Sequence, residues 1–253
     1  MNATMDRSYN PVVQFFQLVV MHLQMFRGQV AFIMMIQCVL SLGLVFGFGY
    51  LVPNITTTTA LFLVTGTATQ ALVTVGLVML PQFLSEAKQE GRMDYFLTLP
   101  ISREAYLLTQ TVVVAVLALP GIAFSLLVGA LHYNLSLTFE PTFALVIVLT
   151  IFSLAGLGVA MAIVSPHLQV TNALTQLIIF YVLFFAPVLM PKDQLPSWLA
   201  HVSVVMPPTY AADAVRGTLT NLPGTHIARS LWVLTGFGAA SLALSAVMVR
   251  RRG

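Results

Sequence analysis

Apolar residues in this chain come in long unbroken runs. They show neither the amphipathic stripe of a water-facing helix nor the two-residue alternation of a half-buried strand. No Asp, Glu, Lys or Arg occurs in residues 28–85 or 141–191. A hydrocarbon layer about 30 Å thick takes roughly 17–25 helical residues, and six runs fit that length, at 30–52, 61–84, 106–131, 143–164, 173–190 and 231–249. The separators carry turn chemistry: Pro53-Asn54 with four threonines, His132-Tyr133-Asn134 through Glu140-Pro141, and Ser165-Pro166-His167. Strands of a membrane barrel would alternate over about 10 residues, and the run from Phe143 to Phe152 does not. The pattern predicts an all-α integral membrane protein with six transmembrane helices.

Three further stretches are not spans. In residues 11–27, Gln14, Gln17, Gln24 and Arg27 share one arc at 100° per residue, and Phe15, Phe16, Val19, Val20, Leu23 and Phe26 fill much of the rest, with His22 breaking the apolar side. This predicts an N-terminal helix in the membrane interface, with Gly28 as the bend into the first span. Residues 85–104 are densely charged: Glu86, Lys88, Glu90, Arg92 and Asp94 give a polar turn or two, Tyr95-Phe96-Leu97 an apolar ridge, and Pro100 a stop. Such a helix suits docking into a groove on a soluble partner; the plainer alternative is a solvated loop touching headgroups. Residues 191–230 are too apolar for a solvated loop, and their prolines cut them into short outer pieces of re-entrant type, at 197–205 and 209–219. Asp213 and Arg216 stand one helical turn apart there. Immersed, they would satisfy each other; exposed, they would be a surface pair of little value.

Composition sharpens this picture. Of 253 residues, 58% are hydrophobic and 8% charged, against roughly 25% charged in a soluble domain, and the mean hydropathy is +0.92. A soluble globule is excluded. The net charge of +3 reads as topology rather than as a nucleic-acid surface. With an even span count, eight basic residues (Arg7, Arg27, Lys88, Arg92, Arg103 and Arg250 to Arg252) lie on the side of the termini and three (Lys192, Arg216, Arg229) on the other. The positive-inside rule then makes both termini cytoplasmic. Cys38 stands alone, so no intrachain disulfide forms. The five histidines fall on separate loops or ends and HExxH and CxxC are absent, which leaves no metal-ligand spacing. Gly43 and Gly47 form a GxxxG in the first span, a candidate for helix packing.

Two stretches also resemble a known family. EGRMDYFLTLPISR, residues 90–103, resembles the cytoplasmic loop of type-2 ABC exporter permeases, with its acid-Gly start, leucine run and Pro-(Val/Ile)-Ser-Arg ending. PTYAADAVRG, residues 208–217, resembles the outer signature of the same family, with Pro208, Thr209, Tyr210, Asp213 and Arg216 in place, and Pro187 to Leu199 resembles the segment before it. Met206 and Pro207 stand where an Asn often precedes that signature, and the basic-acidic run before Glu90 is thinned. The resemblance runs end to end and implies one type-2 transmembrane domain over residues 1–253: interfacial helix 1–29, spans one to five in 30–190, coupling loop 85–104, outer helices 191–230 and span six at 231–249.

It further implies a non-enzymatic permease of a bacterial cytoplasmic membrane. Such a chain pairs with a second permease chain, identical or related, and couples to two copies of a cytosolic ATP-binding subunit. ATP and Mg would sit on that subunit. This chain carries no cofactor of its own and no Gly-x-x-x-x-Gly-Lys-(Ser/Thr) phosphate cradle. Glu86, Glu90, Gly91, Tyr95, Phe96, Leu97 and Pro100 would form the coupling contact, and Pro208, Thr209, Tyr210, Asp213 and Arg216 an outer gate. The first, second and fifth spans would line the path, with Phe46, Tyr50, Phe180 and Phe184 as candidate contacts for hydrophobic, amphiphilic or lipid-linked cargo such as a drug, glycolipid or polysaccharide. No ionisable residue other than histidine near the ends occurs in a span, which argues against an ion relay. The rival readings are a secondary transporter, for which the chain shows no internal repeat, and a haem-export or assembly permease.

Overall fold

A computed structural model describes residues 11–25, 27–52, 55–93, 103–185, 188–189, 203, 206–220, 222 and 224–251. The described elements are all helical: α1 (Pro11–Met25), α2 (Arg27–Leu51), α3 (Thr57–Thr74), a π-helical turn (Val75–Met79), α4 (Leu80–Gln89), α5 (Arg103–Tyr133), α6 (Thr142–Val164), α7 (Leu168–Phe185), α8 (Pro207–Leu219) and α9 (Ile227–Arg251). Four stretches are long and apolar enough to cross a membrane among the described residues: Val30–Leu51, Thr57–Gln89, Ala105–Tyr133 and Thr142–Val164. The chain is therefore an integral membrane protein of helical type.

The second crossing is a single rod from Thr57 to Gln89. It starts at Thr56, whose side chain accepts from the Thr59 amide as an N-cap, so the threonine run is a helix start as well as a separator. Midway, the rod widens into the π turn, where the Leu80 amide donates back to Val75 O. Pro81 follows at once; it offers no N–H and crowds the preceding turn, and a local π adjustment is one way to absorb that. Polar side chains on the rod turn inward on themselves: Thr65, Thr67, Thr69 and Thr74 each donate to the carbonyl four residues back. Ser125 on α5 also bonds its own helix, whereas Ser153 Oγ has no partner among the described residues.

Helix α3 packs on α5, α5 on α2, and α6 on α9. The close contacts use small residues: a Cβ on Gly158 of α6 would overlap the Gly76 carbonyl of the π turn, and one on Gly156 would overlap Ser241 of α9. Gly43 and Gly47, the GxxxG pair, meet nothing within 4 Å. They face away from the described helices, because the face of α2 that meets α5 and α3 carries Ile33, Gln37, Ser41 and Val45 instead.

Helix α1 forms as expected but packs differently. Its buried positions are Leu18, Val19 and His22, set against α5. His22 does not break the pattern. Its Nδ1 donates to Leu18 O at 2.8 Å, and the ring meets Tyr106 edge-on with centroids 5.7 Å apart. Burial lowers its pKa, the Leu18 bond opposes the shift and nearby Arg92 adds to it, so the neutral ring fits this apolar contact. Gly28 lies inside α2 rather than at a bend.

The fifth apolar run also moves. Helix α7 covers Leu168–Phe185, starting about a turn before the predicted 173–190, and the second crossing runs on past residue 84 to Gln89. Both extensions carry polar residues that hydropathy assigns to loops, and Ser85 of one pairs with Thr171 of the other.

Candidate functional site

That bond is one rung of a polar ladder from α4 to α7 and the end of α6. Gln82 Nε2 donates to Thr175 Oγ1 at 3.2 Å, and Ser85 Oγ and Thr171 Oγ1 share a hydrogen bond of 2.7 Å. Lys88 Nζ donates to Ser165 O at 3.0 Å, at the C-cap of α6. Gln82, Ser85 and Lys88 recur every three residues and so lie along one face of α4. Ser85 and Thr171 are both buried, so their rung is an interhelical bond sealed from water, whereas Gln82 is half-buried and its bond to Thr175 lies partly open. At the end of α4, the Gly91 amide donates to Lys88 O with Gly91 at φ +70°, the left-handed termination that a residue with a Cβ resists. Gly91 thus ends the helix and turns the chain toward α5. Arg92 reaches back to both acids, to Glu86 at 3.6 Å and to Glu90, knotting the turn with half-exposed pairs worth little individually. Of the predicted coupling residues, Glu86 is therefore on the crossing helix itself and Glu90 and Gly91 are in its terminal turn. Tyr95, Phe96, Leu97 and Pro100 lie outside the described residues.

At the far end of the bundle, α8 is enclosed by α3, α6 and α9. Pro207 and Pro208 occupy its first turn, where a missing N–H costs nothing. Thr209 and Tyr210 are buried. Arg216 settles the open question about the pair: its side chain is 2% exposed against 24% for Asp213. One guanidinium nitrogen donates to Val188 O at 3.0 Å and another to Asp213 Oδ1 at 3.4 Å, while Cζ sits 3.8 Å above the Phe62 ring of α3. Burial lowers the Arg216 pKa to about 10 while Asp213 pulls it up, so the group remains cationic at neutral pH. Gly66 of α3 makes room for the Val188 carbonyl, and Gly217 makes room for Ile227 of α9. The connection 134–140 closes the end by donating the Thr138 and Glu140 amides to Leu219 O and Thr218 O. The Asp-x-x-Arg-Gly spacing is thus a clamp: its Arg binds the chain after α7 and its Gly admits α9.

Between these ends, a cavity of about 120 Å³ opens among α2, α3 and α7, lined by Leu40, Leu44, Ile179 and Leu183 together with Gln37, Ser41, Thr67, Gln70 and Thr74, and the surface it presents is almost wholly apolar. The sequence reading passed over these residues because a lone Gln in an apolar run carries no motif. Their one signal is the placement of Gln37 and Gln70 well inside spans, where a carboxamide is expensive. The aromatic candidates do not line this cavity: Phe46 stacks edge-on against His132 of α5 at 4.5 Å, Tyr50 is exposed at the end of α2, and Phe180 is exposed on α7. The side chain of Phe184 lies outside the described residues. No group of three or more His, Cys, Asp or Glu side chains poised for a metal occurs among the described residues.

The described residues thus form a helical membrane bundle with a largely apolar cavity among α2, α3 and α7 and a charged turn at the end of its second crossing. Residues 13–220 match the ABC-2 type transporter family, and the chain belongs to that family. Among curated proteins it is similar to Nodulation protein J of Rhizobium meliloti (strain 1021), 26% identical over 107 residues, a stretch that covers 42% of this chain and 41% of that relative. The chain is accordingly a membrane component of the ABC-2 transporter type, and it spans less than half the length of the curated relative it matches.

Proposed function

We propose that this permease exports a hydrophobic, amphiphilic or lipid-linked compound across a bacterial cytoplasmic membrane as one half of a pair, the partner being a second copy or a related permease. Two cytosolic ATP-binding subunits, each holding ATP and Mg, supply the energy. Six crossings with cytoplasmic termini place the Glu86 to Leu99 region inside and α8 outside, as the eight-to-three division of basic residues favours. Cargo passes along α2, α3 and α7, and α8 with its neighbours closes the outer exit.

The observation that carries this reading is the α4–α7 ladder. Nucleotide-driven movement of the ATP-binding subunits pushes the turn at Glu90 and Gly91. The push enters α4, Gln82 and Ser85 pass it to α7, and Lys88 passes it to the C-terminal end of α6. Because α7 lines the cavity through Ile179 and Leu183, displacement at the loop alters the cavity without any charge having to cross it. The π turn above α4 lets this lower segment move relative to α3.

Glu90→Lys tests the lever. The exposed Glu90–Arg92 contact contributes little to stability, on the order of 1 kcal/mol or less, so the chain should still assemble with its ATP-binding subunit. Vanadate-sensitive ATP hydrolysis should persist while cargo moved per ATP falls. Unchanged coupling would remove the loop from the mechanism. Transport by the purified chain with no nucleotide-hydrolysing partner would replace the whole reading with that of a secondary carrier.

A further inference from the structure

A groove of about 580 Å³ runs along α5 where it meets the start of α6. Its α5 wall is Leu119, Ile122, Ala123, Leu126, Leu127 and Ala130, and their spacing of three and four residues keeps all six on one face of the helix. Ile122 and Leu126 are buried and make the floor, whereas Leu119, Ala123 and Leu127 are exposed. Ala123 and Ala130 stand two turns apart, and their methyl groups leave the stripe hollow. Phe143 and Ile147 of α6 line the other side, and Leu135, Leu137 and Phe139 of the connection line the end nearest α8.

Every lining residue is apolar, and the α5 wall lies within a crossing, which puts the groove at hydrocarbon depth. From Leu119 to Ala130 the helix rises about 16 Å, close to half of a hydrocarbon core about 30 Å thick. The polar, exposed Asn134, Ser136 and Glu140 follow directly, with exposed Phe139 among them, the mixture found at headgroup level. A crossing helix of a second chain would need a groove through both leaflets. This one ends after a single leaflet, the length of one lipid tail. Lipid tails are as apolar as leucine, so burial alone does not favour the site over bulk lipid. What favours it is fit, since an unfilled groove forfeits dispersion contacts along its whole wall.

Charge at the same end selects a headgroup. Glu140 lies in the chain between the lining residues Phe139 and Phe143, is exposed, and makes no ion pair among the described residues. Its carboxylate accepts from Thr142 Oγ1 at 3.0 Å, which keeps it at the start of α6. An acid there repels an anionic head and attracts a cationic one. An ethanolamine ammonium can also donate to it, which a choline cannot.

We propose that this groove holds one acyl chain of a phosphatidylethanolamine in the leaflet on the α8 side, with Glu140 accepting from the lipid's ammonium. The site goes beyond the permease reading and does not depend on it.

The full chain is placed in phosphatidylcholine nanodiscs with rising fractions of phosphatidylethanolamine or phosphatidylglycerol carrying the same diazirine-tagged acyl chain, and labelled peptides are mapped by mass spectrometry. Labelling of residues 119–147 should saturate, and phosphatidylglycerol should need roughly 3- to 5-fold more lipid to half-saturate, the discrimination one exposed ion pair supplies. Labelling around exposed Trp232 on α9 should rise in simple proportion, as ordinary lipid contact does. Ala123→Trp fills the groove at an exposed position and should abolish the saturable label, while the Trp232 label persists and reports an intact fold. Glu140→Gln should keep saturation but bring the two heads to equal half-saturation.

If Ala123→Trp does not fold, competition in the wild-type chain decides: excess untagged phosphatidylethanolamine must displace the saturable label, and phosphatidylglycerol must do so roughly 3- to 5-fold less well. Labelling that is absent or merely proportional, saturable labelling that survives in folded Ala123→Trp, or equal half-saturation of the two heads in the wild-type chain overturns the site. So does disulfide cross-linking of two copies through Ala123→Cys in a Cys38→Ser background, which would show a protein covering this face. No step uses nucleotide, so failure here leaves the permease reading standing, and loss of ATP-coupled transport leaves the lipid site standing.

Discussion

Arg216 shows how much one side chain organises here. It is the chain's deeply buried cation among the described residues, and it joins three separate pieces: Asp213 on its own helix, the Val188 carbonyl beyond α7, and the Phe62 face on α3. Removing it leaves the Val188 carbonyl without its donor in a dry site and takes the cation away from Asp213 and Phe62. Arg216→Leu should lower the stability of the detergent-solubilised protein by about 1–3 kcal/mol, the cost of leaving a buried acceptor unmade, read as an earlier loss of the monodisperse chromatographic peak on heating. Arg216→Lys should recover little, because a point charge cannot reach Asp213 and Val188 at once or lie flat on Phe62. Arg and Gly are legible in the sequence as a pair, but their division of labour is not: which neighbour each faces depends on Val188 and Ile227, 28 and 10 positions away in the chain. His22 makes the same point in reverse, since a residue that looks misplaced on an apolar arc is held by its own helix and by Tyr106.

Helices α4 and α7 owe their lengths to one another. Hydropathy ends the second crossing at residue 84 and starts the fifth at 173, since Ser85, Glu86, Lys88, Gln169, Thr171 and Asn172 look like loop. In the fold the polar faces meet, and a hydrogen bond between buried hydroxyls keeps both helices going. A double-mutant cycle on Ser85→Ala and Thr171→Val should return a coupling of about 0.6 kcal/mol and no more than roughly 1.7, the range for hydrogen bonds between membrane helices. The same double variant, with the ladder cut between Gln82 and Lys88, should also lower transport per ATP more than it lowers stability. Additive effects on both would mean that the two helices move independently. The glycines divide along the same line: Gly158 is packed against the π turn while Gly43 and Gly47 stand in open space, and no local pattern separates the three.

For the molecule as a whole, orientation is the first thing to measure. With native Cys38 replaced by Ser, a cysteine at exposed Gln89 should react with a membrane-impermeant maleimide only from the cytoplasmic side, and one at exposed Ser136 only from the outside. The reverse pattern would invert the proposed direction of transport. The helical class, the membrane location and the places of the first four crossings were legible from residue order alone, to within about a turn at their ends. Uncharged runs of 20 residues have one stable solution in lipid, a helix that satisfies its own backbone. The family, too, was legible in the loop and Arg-Gly motifs. The tertiary structure alone decided which polar residues pair across helices and which bond their own helix. Thr171 and Thr67 are the same to any hydropathy scale, yet one meets Ser85 of another helix and the other bonds Leu63 O of its own. That difference arises from which helices lie side by side, and side-by-side packing of apolar helices in a bilayer is set by shape and hydrogen-bond partners distant in the chain, which no local pattern encodes.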